Sequence, residues 1–593
     1  FDASQCNNKL IGARFYKAGF DASLPTDENE FFSPRDADGH GTHIASTAAG
    51  NQVIANIGGS DLGQVQGMAP RARIAVYKAC WLQPGQTRAS CSIADLQSAI
   101  EDAVADGVDL INFSVGDPNP SINDPDDRAL LTAVEAGVLT VAAAGNEGPY
   151  PAGINSPGSA PWVLTVGAST RQGLEFDSAI SIDFPASLAD DYIAVEATFT
   201  PPLSLYGVVS ARLILADDNV EQTPDGEIGN TYDACSPLIN SAEMEGNVAL
   251  IVRGGCNFDI KVQNAGNAGA DGVLIYNDEA TPFQMDGDWQ LADVPALMLG
   301  QADGVLLRDE LINGGGEIDV TLDSSIFIEF AVDGNVMTTF SSRGPNPGLT
   351  TELSDILKPD LTAPGQNILA GQTPDVANGV RGDLFQYLSG TSMSTPHVTG
   401  IAALLKQAYP EWGPDKLKSA LMTTARQDVV KDDGVTPADP FDFGAGHIDP
   451  NKSVNPGLIY PILSADYDAF LCGTSQPRLS LLECAALENQ GYSSESYNLN
   501  LPSIALSRLV ASTSVTRRVT NTGSAGNFSV SVAAPEGIDI DVSPELLSLQ
   551  NGETATFNIQ LTNDSVTNYE WLFGALSWTN GETVIRSPIA VRP

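Results

Sequence analysis

Three short segments carry residues that could together cleave an amide bond. The segment DGHGTH contains His40 and His43, two of the four histidines in the chain. The segment AAAGNEG ends an apolar run with Asn146, and GTSMSTPH contains Ser392. A histidine can take a proton, a serine hydroxyl can attack a carbonyl carbon, and an amide N–H can stabilise the resulting oxyanion. The combination predicts acyl transfer.

The HGTH motif could instead hold a metal, because histidines three residues apart share one face of a helix. An HExxH pattern is absent, and no third ligand lies near in the sequence, so metal ligands stay unassigned. We expect His43, His397 and His447 to be structural. Asp36 and Asp38 are spaced as at the start of a calcium loop, but the other EF-hand positions are missing. We expect both to cap or solvate the start of the helix that follows.

The pattern around these segments predicts a parallel sheet. RIAVYKA, VDLINFSVG and VLTVAAAGN are predicted strands, and the last two are expected to be buried. Ser92 can cap a helix that ends near Gly107, and DDRALLTAVEAG is a predicted helix that Gly137 stops. Strands and helices that alternate in this way form a parallel sheet covered on both faces.

Ligands of such sheets bind at the carboxyl ends of the strands. Here those ends are Ser114-Val115-Gly116 and Gly145-Asn146. Ser392 lies just before a predicted amphipathic helix, whose free N–H groups would favour negative charge on a bound substrate. The candidate residues are therefore expected to meet at one edge of the sheet.

Changes in sequence texture divide the chain into four parts. Residues 1–189 and 325–494 have the α/β pattern, and 190–324 have short β-like runs with one helical stretch. Residues 495–593 contain short alternating runs separated by turn residues, which predicts a small β-sandwich. The β-rich part is therefore expected to be inserted into the α/β domain.

The motifs GHGTH, SVG, AAAGNEGP and GTSMSTPH resemble those of the subtilisin-like serine peptidases. CNNKLIGARFY, SAPWVLTVGAST, FSSRGP, LKPDLTAPG and GAGHIDPNKSVNPGLIY make the chain more similar to the branch that contains plant cucumisin. The block with VRGGCNFDIKVQNAGNAGADGVLIYN resembles a protease-associated domain, and the C-terminal block resembles a fibronectin type III-like domain. The resemblance implies an α/β fold with a subtilisin-like parallel sheet flanked by helices, the inserted domain and the sandwich.

The same resemblance implies a role for each candidate residue. His40 would be the general base for Ser392, and Asn146 would stabilise the oxyanion together with the backbone N–H of Ser392. The strand end Ser114-Val115-Gly116, with Gly145, would bind an extended substrate backbone. The specificity pocket is expected in the loop YPAGINSPGSAPW. Protein and peptide substrates are implied, and no cofactor is required.

Cysteines and charge indicate a secreted protein. The chain has 7 cysteines and a net charge of −45. Such a polyanion repels nucleic acid and anionic membranes, and no apolar run is long enough to span a bilayer. Six cysteines lie in local pairs without CxxC spacing, which favours disulfides over zinc but does not prove their connectivity. The expected pairs are Cys80 with Cys91, Cys235 with Cys256, and Cys472 with Cys484.

The resemblance also exposes a missing residue. The family has an aspartate in an apolar strand upstream of the histidine, where it orients the imidazole. Asp2 and Asp21 lie outside any such strand. Cys6 has no local partner, whereas the similar branch has a cysteine a short way upstream of this place. We expect a segment preceding Phe1 to supply the aspartate and complete the active site.

Other functions stay open at this stage. A catalytically inactive or adhesive relative could act through its β-domains, and a metallohydrolase is a third alternative. Structural calcium is possible, because an acidic cluster follows the SVG strand. An exposed acidic loop would explain the same residues. The cluster consists of Asp117, Asp124, Asp126 and Asp127.

Overall fold

The molecule consists of an α/β unit, a closed β-barrel and a two-sheet sandwich. Within the described ranges, no helix is long and apolar enough to cross a membrane. The computed structural model describes residues 6–57, 60–84, 86, 88–119, 121–197, 199–220, 230–283, 285, 293–314, 316–346, 354–376, 382–564 and 569–593.

The α/β unit is built from two stretches of chain that flank the barrel. The first contains β1 (Leu10–Phe15), α1 (Ala18–Asp21), α2 (His40–Ala49), β2 (Val53–Ile57), β3 (Ser60–Val65), β4 (Ile74–Lys78), β5 (Cys80–Trp81), β6 (Ser90–Cys91), α3 (Ile93–Asp106), β7 (Leu110–Phe113), α4 (Pro125–Glu135), β8 (Leu139–Ala143) and β9 (Leu164–Ser169).

The barrel follows directly in the chain. It contains β10 (Gly173–Phe184), β11 (Asp190–Glu196), α5 (Leu203–Tyr206), β12 (Val209–Leu215), α6 (Ser241–Met244), β13 (Val248–Val252), α7 (Phe258–Asn267), β14 (Gly272–Tyr276), β15 (Ala296–Leu299), α8 (Gln301–Asp309) and β16 (Asp319–Val332). The second α/β stretch contains β17 (Leu361–Pro364), β18 (Ile368–Gly371), β19 (Phe385–Leu388), α9 (Thr391–Ala408), α10 (Pro414–Thr423), α11 (Pro440–Phe443), α12 (Pro450–Ser453), β20 (Leu458–Ile459), α13 (Ser464–Cys472) and α14 (Leu481–Asn489).

The central sheet is parallel, as predicted, with strand order β17-β9-β8-β7. Helices α2, α9 and α10 lie on one face, and α3 and α4 pack together on the other. β1 and β4 form a separate parallel pair. The run VDLINFSVG does form a strand, but the expectation that it is buried is wrong for most of it. Only Phe113 of β7 is buried, because β7 lies at the edge of the four-stranded sheet.

The barrel closes in the order β10-β11-β15-β14-β13-β12-β16. Its first and last strands pair antiparallel from Gly173 opposite Val332 to Phe184 opposite Asp319. The β-rich part therefore extends on both sides beyond the predicted range 190–324. This difference arises because β10 and β16 form one long two-stranded stem that joins the barrel to the α/β unit.

The C-terminal part is a sandwich of two antiparallel-rich sheets, β20-β22-β26-β24 and β21-β28-β27-β23-β25. Its core packs around Phe528, Phe557 and Trp578, which are fully buried. β20 comes from before the predicted boundary at residue 495. The remaining strands are β21 (Ile504–Leu506), β22 (Ser512–Asn521), β23 (Gly526–Ala533), β24 (Ile538–Ser543), β25 (Leu546–Leu549), β26 (Thr554–Asn563), β27 (Leu572–Thr579) and β28 (Val584–Val591).

Three disulfides join the six cysteines that lie in local pairs. All three match the predicted connectivity, and each closes a loop of the chain within one structural unit. Cys6 is half-buried and has no disulfide partner in the described part of the chain. The pairs are Cys80–Cys91, Cys235–Cys256 and Cys472–Cys484.

Candidate active site

Ser392 lies in the first turn of α9, because the helix begins at Thr391 and not after Ser392 as predicted. Its hydroxyl oxygen is 3.4 Å from the backbone oxygen of Ser114. In return, the Ser114 hydroxyl donates to the backbone oxygen of Ser392 at 3.0 Å. The end of β7 and the start of α9 are therefore tied together at the two predicted positions.

Asn146 is exposed, and hydrogen bonds to its side-chain oxygen hold the amide in place. Its Oδ1 accepts from the backbone N–H of Thr391 at 2.9 Å and from the Thr391 hydroxyl at 3.0 Å. A backbone N–H can only donate, so the amide oxygen must face Thr391 and Nδ2 must point the other way. Nδ2 has no hydrogen-bond partner among the described residues, which leaves a donor free beside Ser392.

Gly145 permits this arrangement. Its φ is +111°, a backbone conformation that favours glycine. A Cβ at this position would lie 2.6 Å from Oε2 of Glu147 and 2.7 Å from Ser342 Oγ. Any larger residue would therefore push apart the turn that presents Asn146.

His40 is the first residue of α2, and two carboxylates hold the turn before it. Asp36 accepts from the backbone N–H groups of Gly39 at 2.9 Å and Thr42 at 2.8 Å. Asp38 accepts from the backbone N–H of His40 at 3.2 Å and from that of Ala89 at 2.7 Å. Both aspartates cap the helix start, as expected.

A pair of glutamines also supports this turn, and no sequence motif pointed to it. Gln372 on the loop after β18 and Gln386 in β19 exchange reciprocal amide hydrogen bonds of 3.0 Å. Gln386 also donates to the backbone oxygen of Gly39 at 3.3 Å. A Cβ on Gly39 would collide with Oε1 of Gln372. The β18–β19 hairpin thus contacts the His40 turn and leads directly into the segment that carries Ser392.

The imidazole of His40 lacks a carboxylate partner in the described part of the chain. Burial lowers its pKa from the usual value, while the charges of Asp38 and Asp36 act in the opposite direction. Both of those carboxylates already bind backbone N–H groups. Among the described residues, the ring therefore has no hydrogen-bonded carboxylate that would orient it.

A cleft of about 2910 Å³ brings the candidate residues together. His40, Ser392, Asn146 and Gly116 all line it. The cleft extends from these residues to β4 and β7, which line it together with β1. We call this part the slot. Within the described residues, neither β4 nor β7 has a strand partner on the slot side.

The faces of the slot are largely apolar. α3 contributes Leu96, Ala99 and Ile100 from one side of the sheet, and Ala48 and Ala403 line it from α2 and α9 on the other. A central strand of a parallel sheet has a strand on each side and helices on both faces. The slot offers the same surroundings, with a free strand edge on each side and a helix layer on each face.

Comparisons with known proteins agree with this geometry. The model of the subtilase family matches residues 15–446, and that of a fibronectin type III domain matches residues 498–591. The chain belongs to the subtilase family. It is 35% identical over 613 residues to the Arabidopsis thaliana subtilisin-like protease SBT5.4, covering 99% of this chain and 75% of the relative. It is 36% identical over 624 residues to SBT1.7 of the same plant, covering 100% and 77%.

A solved structure is also similar to this subtilase. The psychrophilic subtilisin-like protease Apa1 from Pseudoalteromonas sp. AS-11 has 19% identity and a TM-score of 0.36. The match covers 77% of this chain and 94% of that one. These values are too low to carry an argument. The family match and the plant relatives establish this subtilase as a subtilisin-like serine protease.

The other histidines of the subtilase are packed. His43 is fully buried, its Nε2 is 2.7 Å from the backbone oxygen of Ile368, and burial lowers its pKa to about 4. His397 contacts the backbone oxygen of Met393. His447 contacts the backbone oxygen of Ile448, and burial lowers its pKa to about 4. The described residues hold no group of three or more His, Cys, Asp or Glu suited to a metal.

The acidic residues after β7 do not form a group suited to a metal ion within the described part of the chain. Asp124 is the N-cap residue of α4, and Asp126 and Asp127 lie in its first turn. Asp127 is fully buried and accepts a hydrogen bond from Ser156. Asp117 pairs its backbone with Ser156. The expectation of an exposed acidic loop is therefore wrong for Asp126 and Asp127, and the four side chains do not fit a shared calcium site.

Proposed function

We propose that this subtilase is a secreted endopeptidase that cleaves proteins through an acyl-enzyme on Ser392. His40 is the general base, and Asn146 with the backbone N–H of Ser392 forms the oxyanion hole. The observation that carries the proposal is the free Nδ2 of Asn146, fixed through Thr391 beside Ser392 in the cleft that His40 also lines.

In the proposed reaction, His40 accepts the hydroxyl proton of Ser392 while Oγ bonds to the substrate carbonyl carbon. The carbonyl oxygen becomes an oxyanion, to which Asn146 donates. The C–N bond breaks as His40 returns the proton to the leaving amine. Water then attacks the ester with the same base, and the free acid and Ser392 are released. No step uses a cofactor.

The substrate backbone is proposed to lie along Ser114, Val115 and Gly116. Val115 is half-buried and Gly116 is exposed, so this strand end is open to the cleft. An extended peptide added there is held mainly through its main chain. Broad sequence tolerance follows, with selectivity in the side-chain pocket beside Gly145.

The carboxylate that His40 needs is proposed to come from a segment upstream of Phe1. That segment would enter the slot as a parallel strand between β4 and β7 and end beside His40. The free strand edges and the apolar faces from α3, α2 and α9 support this placement. A carboxylate there would accept a hydrogen bond from the imidazole and stabilise its charged form.

The remaining parts keep their proposed assignments. The barrel is a protease-associated domain inserted into the peptidase domain, and residues 190–324 lie within it. Three disulfides support secretion, because they persist in oxidising compartments. Structural calcium is tested by whether a chelator lowers the melting temperature.

The experiment uses the full-length protein, casein and a serine-directed phosphonyl reagent. We expect one phosphonyl group on Ser392 and loss of hydrolysis, and no labelling of Ser392→Ala. An inactive or adhesive relative would neither hydrolyse casein nor react. Inhibition by a chelator without serine labelling would instead indicate a metallohydrolase.

A further inference from the structure

A buried carboxylate in the first turn of α4 has no role in the reaction described above. Asp127 is fully buried, and its Oδ2 lies 2.5 Å from the hydroxyl of Ser156. Its Oδ1 has no hydrogen-bond partner among the described residues. The neighbouring guanidinium of Arg128 binds Asn123 and the backbone of Gln476 instead. Burying a carboxylate with a single donor is costly, so this contact requires an explanation.

Ser156 belongs to a turn that is joined to both segments proposed to bind substrate. Its backbone exchanges two hydrogen bonds with Asp117, at 3.0 and 2.9 Å, directly after Gly116. The preceding residue, Asn155, donates its backbone N–H to Ala144 at 2.9 Å, directly before Gly145. The turn Asn155-Ser156 therefore bridges the two strand ends.

The turn also fills the space between the two glycines. A Cβ at Gly116 would lie 3.2 Å from both Asn155 Cβ and the backbone oxygen of Ser156. A Cβ at Gly145 would lie 2.7 Å from Asn155 Cγ. Asn155-Ser156 thus lies against both segments proposed to bind substrate, and we call it the pocket wall.

We propose that Asp127 is a positioning residue that sets the pocket wall through Ser156 and thereby selects the substrate side chain next to the cleaved bond. The inference rests on the function proposed above. A second contact supports it, because the backbone oxygen of Asp127 accepts from the indole N–H of Trp162 at 3.0 Å. One residue of α4 therefore holds the loop at two points.

The surroundings of Asp127 favour the uncharged acid. Burial raises its pKa well above the usual value, the charges of Asp126 and Asp124 add to the rise, and Ser156 and Arg128 oppose it. The neutral acid can donate a hydrogen bond to Ser156 Oγ. The Ser156 hydroxyl can then donate to the backbone oxygen of Ser121, which lies 3.4 Å away. Asparagine can replace a neutral acid in this contact, whereas alanine cannot.

The test compares five variants of the full-length protein: Asp127→Asn, Asp127→Ala, Ser156→Ala, the double variant Asp127→Ala/Ser156→Ala and, as a matched control, Asp126→Asn. Asp126 lies in the same turn of α4 and is buried, but the described hydrogen bonds of the Ser156 hydroxyl are to Asp127 and Ser121. The substrates are peptides that differ only in the residue before the cleaved bond: alanine, leucine, phenylalanine or lysine. kcat and KM are measured for each peptide.

Asp127→Ala and Ser156→Ala are each expected to change the ratio of kcat/KM between large and small residues by on the order of tenfold, in the same direction. The double variant should change it no further, because both substitutions remove one contact. Asp127→Asn and Asp126→Asn should keep the wild-type ratio within about twofold.

Three results would overturn the inference: an unchanged ratio in Ser156→Ala, additive changes in the double variant, or Asp127→Asn behaving like Asp127→Ala. Ser156→Ala decides the matter alone if Asp127→Ala does not fold. Failure of the proposed function is seen separately, as a wild-type protein whose Ser392 does not react with the phosphonyl reagent.

Discussion

Strand β8 and the two strands that border the slot have similar sequences but different surroundings. All five residues of β8, Leu139 to Ala143, are buried between β7 and β9 and two helix layers. All five residues of β4, Ile74 to Lys78, are only half-buried, although four of them are Ile, Ala, Val and Tyr. The difference shows that an apolar strand sequence does not by itself make a strand buried. β4 and β7 have the composition of inner strands, but each lies at an open edge of its sheet.

The residues of the candidate site also differ in how firmly their surroundings hold them. Asn146 follows β8, and Ser392 begins a helix packed on the complete sheet, so hydrogen bonds through Thr391 and Ser114 fix both. His40 lines the same cleft, and within the described residues its hydrogen bonds involve only its backbone. The proposed oxyanion donor and nucleophile are thus fixed by neighbouring side chains, whereas the proposed base is not.

Among substitutions within the 593 residues, the largest predicted effect concerns Asn146, which follows the fully buried strand β8. Asn146→Ala in the full-length protein should lower kcat by about 10²–10³-fold with little change in KM, because it removes one oxyanion donor. Asn146→Asp keeps the oxygen that accepts from Thr391 but lacks the free N–H, so it should lose at least as much. Steady-state kinetics on one peptide decides, and an active Asn146→Asp would contradict the assignment.

The next prediction compares two leucines that are direct register partners, Leu139 in β8 and Leu110 in β7. In the 593-residue chain, Leu139→Ala should lower the free energy of unfolding by about 3 kcal/mol, and Leu110→Ala by about 1 kcal/mol. Leu139 is fully buried and Leu110 is half-buried. Urea unfolding measures both, and equal costs would show that β7 is not an open edge.

The free energy of unfolding should depend on pH through the buried lysine Lys358. Lys358 is fully buried, and burial lowers its pKa from 10.5 to about 7, against the opposing charge of Asp360, to which it donates at 2.8 Å. Between these pKa values the unfolded chain binds more protons than the folded one. The free energy of unfolding should therefore rise with pH from about 7 to about 10, by up to about 1.4 kcal/mol per pH unit.

Lys358→Met should remove this contribution, while Lys452→Met at an exposed position should keep it. Urea unfolding at pH 7, 8 and 9 compares the three proteins. The same slope in wild type and Lys358→Met would contradict the explanation.

The smallest predicted effect concerns the glutamine pair on the side of His40. Gln372→Leu removes the reciprocal hydrogen bonds with Gln386. At about 1 kcal/mol for a hydrogen-bonded contact, kcat should fall roughly fivefold with KM and melting temperature nearly unchanged. Leu384→Ala, on the exposed part of the same hairpin, serves as control. A changed KM with constant kcat would show that the pair acts on binding instead.

Sequence patterns predicted the parallel sheet, the helix at Ser392 and the three disulfides, because each rests on local periodicity or spacing. The same patterns could not show that β7 is only partly buried, since burial depends on a neighbour that is distant in the sequence. They also missed the reach of the stem strand β10, whose polar alternation resembles a loop sequence.

The candidate site was predictable where motifs carried it and not elsewhere. His40, Asn146, Ser392 and the SVG segment were found from short motifs. Asp127 and Ser156 are 29 residues apart and belong to no motif, so only the fold brings their side chains together. The contact between Gln372 and Gln386 could not be predicted for the same reason.

The most direct test of the account measures whether the slot completes the site. Peptide hydrolysis is compared between the 593-residue chain, a chain extended by the proposed upstream segment, and that extended chain with the segment's carboxylate changed to an amide. The account predicts that the extended chain is faster than both others by on the order of 10³–10⁴-fold in kcat. A 593-residue chain as fast as the extended one would contradict it.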